Sequence, residues 1–207
     1  MPINSIVDIS HHNGTRLDFT KACADGIIGV IHKATQGQSN KDPMYKSNKR
    51  RALDAGLLWG AYHFGTGSGG IGQAMHFLDT VGDVTDTLLV LDFEPNPVGP
   101  TMTLEEARAF NTHVAQETGQ WPGLYSGHLI KQALGSQIDS VLQKSWFWLA
   151  QYGPTAVVPA NWPTWTMWQY TDGAMGPEPH SVNGIGRCDR DQFNGTEAQL
   201  RRLWGVA

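Results

Sequence analysis

The stretch LLVLDFEPN, residues 88–96, decides the fold, because four apolar residues run directly into two carboxylates. Side chains alternate along a strand, so Asp92 and Glu94 share one face while Phe93 points the other way, with the two acidic α-carbons roughly 6.6 Å apart. Burying both acids as anions is costly, and two like charges at this distance raise the pKa of one of them. The stretch therefore predicts a buried strand that ends in one proton donor and one anion.

The same pattern, a short apolar run followed by polar residues, recurs along the 207-residue chain. Strands are predicted at 5–10, 27–33, 57–64, 87–94, 121–126, 145–152, 165–170 and 188–193. Helices are predicted at 18–25, 43–55, 70–81, 103–118, 128–135 and 196–204. Thr103 with Glu106 forms a capping-box pattern, and Gly119 suits the end of the same helix.

Strands that alternate with helices predict a mostly parallel sheet covered on both sides, and eight such strands predict a closed barrel. A regular (β/α)8 barrel typically needs about 250 residues. We therefore expect a compact, irregular α/β fold, a TIM-barrel-like (β/α) barrel of about eight strands with fewer or shortened helices and a loop at 153–164. No repeat and no shift in composition interrupts the chain, which predicts a single catalytic domain over 1–207.

Composition and charge narrow the range of partners. The net charge is −4 and the basic clusters fall in predicted helices, so we expect no nucleic-acid binding. No apolar run approaches the roughly 20 residues of a membrane span, so we expect no membrane insertion. Cys23 and Cys188 are too few for a disulfide framework or a zinc pair. Buried free thiols are the expectation for them, and a single bridge is the alternative.

Polar side chains at the ends of the predicted strands should meet at one face, because the carboxyl ends of parallel barrel strands form the working face of such folds. Asp8 ends the first strand, as Asp92 and Glu94 end the fourth. Barrel closure places strand eight beside strand one, so Asp189 or Asp191 should approach Asp8. A carboxylic acid paired with a carboxylate is what cleavage of a glycosidic bond requires. Eight tryptophans supply flat faces for sugar rings, so the pattern favours a glycosidase.

A glycine-rich segment supports a competing function. Residues Gly65 to Gly70 satisfy G-x-G-x-x-G after a predicted strand, which would suit a dinucleotide-binding oxidoreductase. The segment does not lie at the first βα turn, however, and it leaves the acids of strands one and eight without a role. We interpret its glycines as a flexible active-site loop.

Two further alternatives involve a metal and a loss of activity. Four histidines lie at strand ends near carboxylates: His11, His12, His32 and His63. No HxH or HExxH spacing occurs among them, so we expect neither a metal nor a cofactor. An inactive glycan-binding barrel is the non-enzymatic alternative, and it would require one of the acids to be missing.

These motifs together resemble glycoside hydrolase family 25, the Chalaropsis-type lysozymes or N-acetylmuramidases. The matching segments run nearly end to end: VDISHHNG at 7–14, GVIHKATQG at 29–37, GAYHF at 60–64, LVLDFEPN at 89–96, GLYSG at 123–127, WLAQYG at 148–153, WQYTDG at 168–173 and CDRDQFNGT at 188–196. The resemblance implies an irregular β/α barrel that hydrolyses peptidoglycan glycan strands. The bond cleaved is then the β-1,4 bond between N-acetylmuramic acid and N-acetylglucosamine, with retention of configuration.

Carried over residue by residue, the resemblance marks Glu94 as the general acid/base. Asp92 is then either the nucleophile or the anion that stabilises attack by the substrate's own acetamido group. Asp8 and Asp189 complete the catalytic set. The resemblance also implies that five residues line the glycan groove: Tyr62, Tyr125, Trp148, Gln151 and Trp168.

Localisation follows from the same resemblance. We expect no cell-wall-binding repeats, and the chain resembles a phage endolysin. The N-terminus MPINSIVDIS has no signal-peptide pattern. We therefore expect a monomer made in the cytoplasm that acts on the cell wall after release, by phage lysis or non-classical export, or else a mature secreted chain.

Overall fold

A computed structural model describes residues 1–206 and has strands and helices in alternation. The strands are β1 (Ile3–Ile9), β2 (Gly29–Gln36), β3 (Asn40–Lys41), β4 (Leu58–Phe64), β5 (Thr87–Asp92), β6 (Gly123–Ser126), β7 (Phe147–Ala150), β8 (Met167–Thr171), β9 (Ser181–Val182), β10 (Gly186–Arg187) and β11 (Asp189–Phe193). The helices are α1 (Phe19–Ala24), α2 (Tyr45–Asp54), α3 (Gly70–Val81), α4 (Leu104–Thr118), α5 (His128–Leu134) and α6 (Glu197–Leu203), with 3-10 turns at His11–Asn13 and Leu142–Lys144.

All eight predicted strands and all six predicted helices are present, with ends that differ by a few residues. The capping box of Thr103 with Glu106 and the left-handed Gly119 at the end of α4 are confirmed. The stretch 153–164 forms no helix, as expected. Three short strands were not predicted: β3, which pairs with β2, and the separate hairpin of β9 and β10.

The eight longer strands close into a barrel in the order β1-β11-β8-β7-β6-β5-β4-β2, and β1 pairs with β2 to complete the ring. Each pair of neighbouring strands is parallel along the series β1, β2, β4, β5, β6, β7 and β8. This arrangement confirms the mostly parallel barrel. The last strand departs from this pattern, because β11 is antiparallel to both β1 and β8. Antiparallel neighbours need no crossover helix, and the chain returns from β8 through the β9–β10 hairpin instead.

The reversed direction of β11 corrects one expectation about the site. Asp189 is the first residue of its strand, not a residue near its end. The antiparallel register sets Asp8 opposite Asp189, so the start of β11 lies at the same edge of the barrel as the end of β1. Asp191 is two residues further along β11 and pairs with Ile6, which places it deeper in the barrel.

Alternation along each strand divides the apolar residues into two layers. Leu89, Leu91 and Phe93 belong to the outer core between barrel and helices, whereas Leu88 and Val90 belong to the inner cluster. At the amino ends of the parallel strands, two residues of the C-terminal segment, Leu200 and Trp204, join that inner cluster. The indole of Trp204 donates to the carbonyl of Trp59 at 2.8 Å. This end of the barrel is therefore closed by apolar side chains.

The glycine-rich loop before α3 is anchored, in contrast to the flexible loop that its glycines suggested. The side chain of Gln73 accepts from the amide of Thr66 at 2.8 Å and donates to its carbonyl at 2.7 Å. It also donates to the carbonyl of Gly69 at 3.2 Å. The amide of Gly67 donates to the carbonyl of Pro100 at 2.8 Å. These bonds fix the loop against the segment that precedes α4.

Two sequence-based expectations about the chain as a whole are tested by this fold. Cys23 and Cys188 are both free thiols; Cys188 is buried as expected, whereas Cys23 is exposed, so the expectation of burial is wrong for Cys23. Among the described residues, no helix combines the length and the apolar character that crossing a membrane requires.

Candidate active site

The open end of the barrel contains a cavity of about 160 Å³. Its walls come from the ends of the barrel strands and the segments that follow β5 and β7. The lining residues are Asp8, Tyr62, Asp92, Glu94, Tyr125, Trp148, Tyr152, Gln169 and Asp189. The four acids singled out from the sequence are thus brought together in one cavity, although they are separated along the chain.

Asp92 and Glu94 form one side of this cavity. Asp92 ends β5 and is only 6% exposed, and its Oδ1 atom has no hydrogen-bond partner among the described residues. Burial raises the pKa of Asp92 well above its ordinary value, and the charge of Glu94 raises it further. Burial also raises the pKa of Glu94, with a smaller contribution from Asp189. The pair therefore holds a proton more firmly than free carboxyl groups do.

Lys33 affects the pKa of Asp92 and so distinguishes the two carboxyl groups of this pair. It lies on β2 opposite Tyr62 and is partly buried, and its positive charge opposes the rise in the pKa of Asp92. Its Nζ donates to Oε1 of Gln36 at 2.7 Å and lies 5.0 Å from the centre of the Phe64 ring. Burial lowers the pKa of Lys33, and Asp92 counteracts that shift. Lys33 thus offsets part, but not all, of the rise that burial and Glu94 cause in the pKa of Asp92.

Asp8 and Asp189 form the other side of the cavity. Nε2 of Gln169 donates to Oδ2 of Asp8 at 2.7 Å, and the hydroxyl of Tyr125 donates to Oε1 of Gln169 at 2.7 Å. These bonds orient the amide so that its N–H groups face Asp8. Burial raises the pKa of Asp8 well above its ordinary value, with contributions from Asp189 and Asp191, and burial raises the pKa of Asp189 to about 6.

The groove residues implied by the resemblance divide into two sets. Tyr62, Tyr125 and Trp148 line the cavity. Gln151 and Trp168 do not line it. Gln151 contacts Lys131 and the carbonyl of Thr155, and the indole of Trp168 donates to the carbonyl of Gln151 at 2.6 Å. Both residues therefore brace the segment after β7 from outside the cavity.

Two cavity residues, Tyr152 and Gln169, were absent from the set of site residues proposed from the sequence. Strand alternation carries the signal that identifies them. Trp148 points into the barrel, so residues an even number of positions away, such as Tyr152, continue on that face, whereas Gln151 does not. On β8, Met167 belongs to the inner cluster and Gln169 follows it two residues later.

Two of the four histidines near the carboxylates, His32 and His63, are buried and make hydrogen bonds within the protein. His32 contacts the carbonyl of Lys33 at 2.7 Å and the side chain of Asn48 at 3.1 Å. His63 contacts Thr35 and Gln73, and burial lowers the pKa of His63 to about 3, so the ring is neutral. Within residues 1–206, no group of three or more His, Cys, Asp or Glu side chains is arranged to hold a metal ion.

The structure argues against the dinucleotide-binding alternative, because the glycines of the loop pack closely against the segment before α4 and against α4 itself. A Cβ atom at Gly70 would overlap the carbonyl oxygen of Glu106, and one at Gly67 would lie 2.7 Å from the side chain of Pro100. The loop is thus filled by protein. Dinucleotides bind at the switch point of an open sheet, whereas this sheet is closed by the pairing of β1 with β2.

A mostly parallel barrel whose open end holds four acids and aromatic side chains defines the class of protein as a glycoside hydrolase. The model of the family described as "Glycosyl hydrolases family 25" matches residues 7–178. The chain belongs to this family, and the resemblance noted in its sequence is confirmed.

Known proteins support the same assignment. Lysozyme M1 of Streptomyces globisporus is 32% identical over 212 residues, which cover 95% of this chain and 70% of that protein. An N,O-diacetylmuramidase of Chalaropsis sp is 27% identical over 196 residues, which cover 86% of this chain and 92% of that protein. The crystal structure of the bacterial lysozyme from Streptomyces coelicolor is 31% identical, with a TM-score of 0.84 over 100% of this chain and 99% of that one.

Proposed function

We propose that this protein is a muramidase that hydrolyses the β-1,4 bond between N-acetylmuramic acid and N-acetylglucosamine in peptidoglycan, with retention of configuration. The observation that carries the proposal is the cavity that holds Asp8, Asp92, Glu94 and Asp189 in a chain of this family. Relatives that are named lysozyme and muramidase support the choice of substrate.

Glu94 is the general acid/base of this proposal. A general acid must hold its proton near neutral pH, and burial together with the charge of Asp189 raises the pKa of Glu94. It is also more exposed than Asp92, so its proton can reach the glycosidic oxygen of a bound glycan. After bond cleavage, the same carboxylate accepts a proton from the attacking water.

Asp92 acts as an anion in this proposal. Lys33 favours its charged form, and its 6% exposure opens onto the cavity. We assign Asp92 to accept the N–H of the acetamido group on the muramic acid, so that the acetamido oxygen attacks the anomeric carbon. Direct attack by the Asp92 carboxylate is the second version of the same retaining reaction.

Two clefts near the cavity suit a polymeric substrate. The first has a volume of about 260 Å³ and is lined by His11, Lys33 and Asp42 among others. The second has a volume of about 520 Å³ and extends to Asn96 and Pro100, and the two share Gln36 and Asn40. Their amide and hydroxyl side chains are suited to hydrogen-bond a glycan chain that extends beyond the cleaved bond.

The test of the proposed function is Glu94→Gln in a peptidoglycan turbidity assay. We expect a loss of about 10²-fold or more, the usual cost of removing a general acid. Glu105→Gln is the matched control, because Glu105 lies on α4 and does not line the cavity. Reducing-end analysis of the wild-type digest should yield muramic acid. Near-wild-type lysis by Glu94→Gln would refute the acid/base role, and glucosamine at the reducing ends would refute the bond assignment.

The role of Asp92 is tested with the substrate. Peptidoglycan whose muramic acid is N-deacetylated lacks the acetamido nucleophile. Wild-type enzyme should cleave acetylated strands and lose activity on deacetylated ones. Equal rates on the two substrates, with loss of activity in Asp92→Asn, would favour direct attack by Asp92 instead.

A further inference from the structure

Asp191 carries a buried carboxyl group to which the proposed reaction assigns no role. It follows Asp189 by two residues on β11 and so shares its inward face, one step deeper in the barrel. Its side chain is fully enclosed, with an exposed fraction of 0%, and it does not line the cavity. Asp191 therefore lies directly beneath the acids that do line it.

The contacts of Asp191 are few for a carboxylate. The indole Nε1 of Trp148 donates to its Oδ1 at 2.8 Å. Its Oδ2 has no hydrogen-bond partner among the described residues. The neighbouring acid is Asp8 on β1, which interacts with Asp191 from the cavity side.

The charged and titratable groups around Asp191 give it little support as an anion. Asp8 and Asp189 are acids themselves. Arg190 favours the charged form of Asp191, but its guanidinium donates to the carbonyl of Ser181 and to Oδ1 of Asn4. The other titratable neighbours are Tyr170 and Cys188, which carry no positive charge.

An ionised Asp191 would place a third negative charge beside two others and leave Oδ2 without a donor, which is costly in a buried site. A protonated Asp191 avoids both costs, because its O–H can donate to Asp8. Among Asp8, Asp189 and Asp191, it is the one most enclosed by protein. Burial raises the pKa of Asp191 well above its ordinary value and outweighs the hydrogen bonds with Trp148 and Asp8, which lower it.

We propose that Asp191 is a positioning residue that acts as a neutral acid: it accepts the indole N–H of Trp148 and donates its own O–H to Asp8. Asp8 is then held from below by Asp191 and from the side by Gln169, and these two donors favour its anionic form against the burial that raises its pKa. The same residue fixes the ring of Trp148, which forms part of the cavity wall. This inference rests on the proposed function, because Asp8 belongs to the proposed catalytic set.

The indole N–H of Trp148 reports the charge of Asp191 directly. The experiment is a pH titration of the tryptophan Nε1–H resonances by NMR, on the full chain labelled with ¹⁵N-tryptophan, with Trp148→Phe used to assign the signal. We expect no inflection near the ordinary aspartate pKa of about 3.9 that depends on Asp191. An inflection there in the wild type that disappears in Asp191→Asn would show an anionic Asp191 and overturn the proposal.

Activity gives a second readout through a conservative variant. Asn is a mimic of a neutral aspartic acid, because its amide N–H can donate to Asp8 and its oxygen can accept from Trp148. Asp191→Asn should therefore keep most of the activity that Asp191→Ala loses, and we expect the alanine variant to lose about tenfold. An equal loss in both variants, with both folded by circular dichroism, would overturn the proposal. The NMR titration involves no turnover, so its result is independent of the Glu94→Gln test of the proposed function.

Discussion

At the scale of single residues, the balance of charge around Asp92 and Glu94 depends on Lys33. Lys33 lowers the pKa of Asp92, whereas burial and Glu94 raise it. In Lys33→Met the pKa of Asp92 should rise, so Asp92 takes up a proton at a higher pH. If Asp92 works as an anion, the acidic limb of the pH–activity profile should move to higher pH, with a severalfold loss of activity on that limb.

The measurement for Lys33→Met is the initial rate of lysis across the acidic range. Lys46→Met is the control, because Lys46 is exposed on α2 and does not line the cavity. The profile of the control should coincide with that of the wild type. An acidic limb of Lys33→Met that stays in place would mean that Asp92 does not need its charge.

Sequence alone predicted the acids of the site better than its aromatic and amide residues. Asp8, Asp92 and Glu94 follow apolar strands, so their position at the mouth follows from topology. Trp148 and Gln151 are three residues apart near β7, and an odd spacing on an extended strand cannot place both side chains inside the barrel. Alternation therefore predicts that Trp148 and Gln151 do not both line the cavity. It also predicts, from the sequence alone, that Tyr152 lies on the same face as Trp148.

At the scale of secondary-structure elements, the start of α3 depends on a glycine. A Cβ atom at Gly70 would overlap the backbone carbonyl of Glu106 on α4, and a helix backbone cannot move aside as a flexible side chain can. Gly70→Ala should lower the free energy of unfolding by about 1–3 kcal/mol, the usual cost of overpacking. Urea unfolding followed by tryptophan fluorescence measures this change.

Gly72→Ala, two positions along the same helix, is the matched control for Gly70→Ala. The nearest atoms to its Cβ atom would be those of the Gln38 side chain, which is exposed and bonded only to the carbonyl of Ser68, so it can shift more easily than a helix backbone. Alanine also favours a helix over glycine by about 1 kcal/mol. We therefore expect Gly72→Ala to be neutral or stabilising, and equal destabilisation by both substitutions would contradict the packing argument.

The direction of β11 shows what the apolar pattern of an element cannot predict. Alternation places Asp189, Asp191 and Phe193 on one face whichever way the strand runs. Direction is decided by the connection, and the residues between β8 and β11 form a hairpin at Ser181–Val182 and Gly186–Arg187 with no crossover helix. These short strands carry too few apolar residues for periodicity to reveal them.

At the scale of the whole molecule, the two ends of the barrel are chemically opposite. One end is closed by apolar residues such as Leu58 and Trp204, while the other holds Asp8, Asp92 and Asp189. Buried acids whose pKa values are raised destabilise the folded state at neutral pH, because folding must either bury their charge or bind a proton. The apolar layers offset that cost, so the site is maintained at the expense of stability.

Asp189→Asn tests this trade between site and stability. Burial raises the pKa of Asp189 from 3.8 to about 6 in the folded protein. Between these two values the folded state keeps a proton that the unfolded chain has lost, so the contribution of Asp189 to stability falls as the pH rises through this window. Asn does not titrate and removes that cost.

The free energy of unfolding of Asp189→Asn should therefore exceed that of the wild type by about 1–3 kcal/mol above the folded pKa, because each unit of pKa shift corresponds to about 1.4 kcal/mol. The difference should shrink as the pH falls from about 6 to 3.8 and vanish below 3.8, where aspartate is protonated in both states. Urea unfolding at a series of pH values measures this difference.

The control is Asp54→Asn, at an exposed position on α2, which should show no such trend. If the wild type were more stable than Asp189→Asn at neutral pH, the charge of Asp189 would stabilise the fold. That result would contradict the argument that the acids of the site lower the stability of the protein.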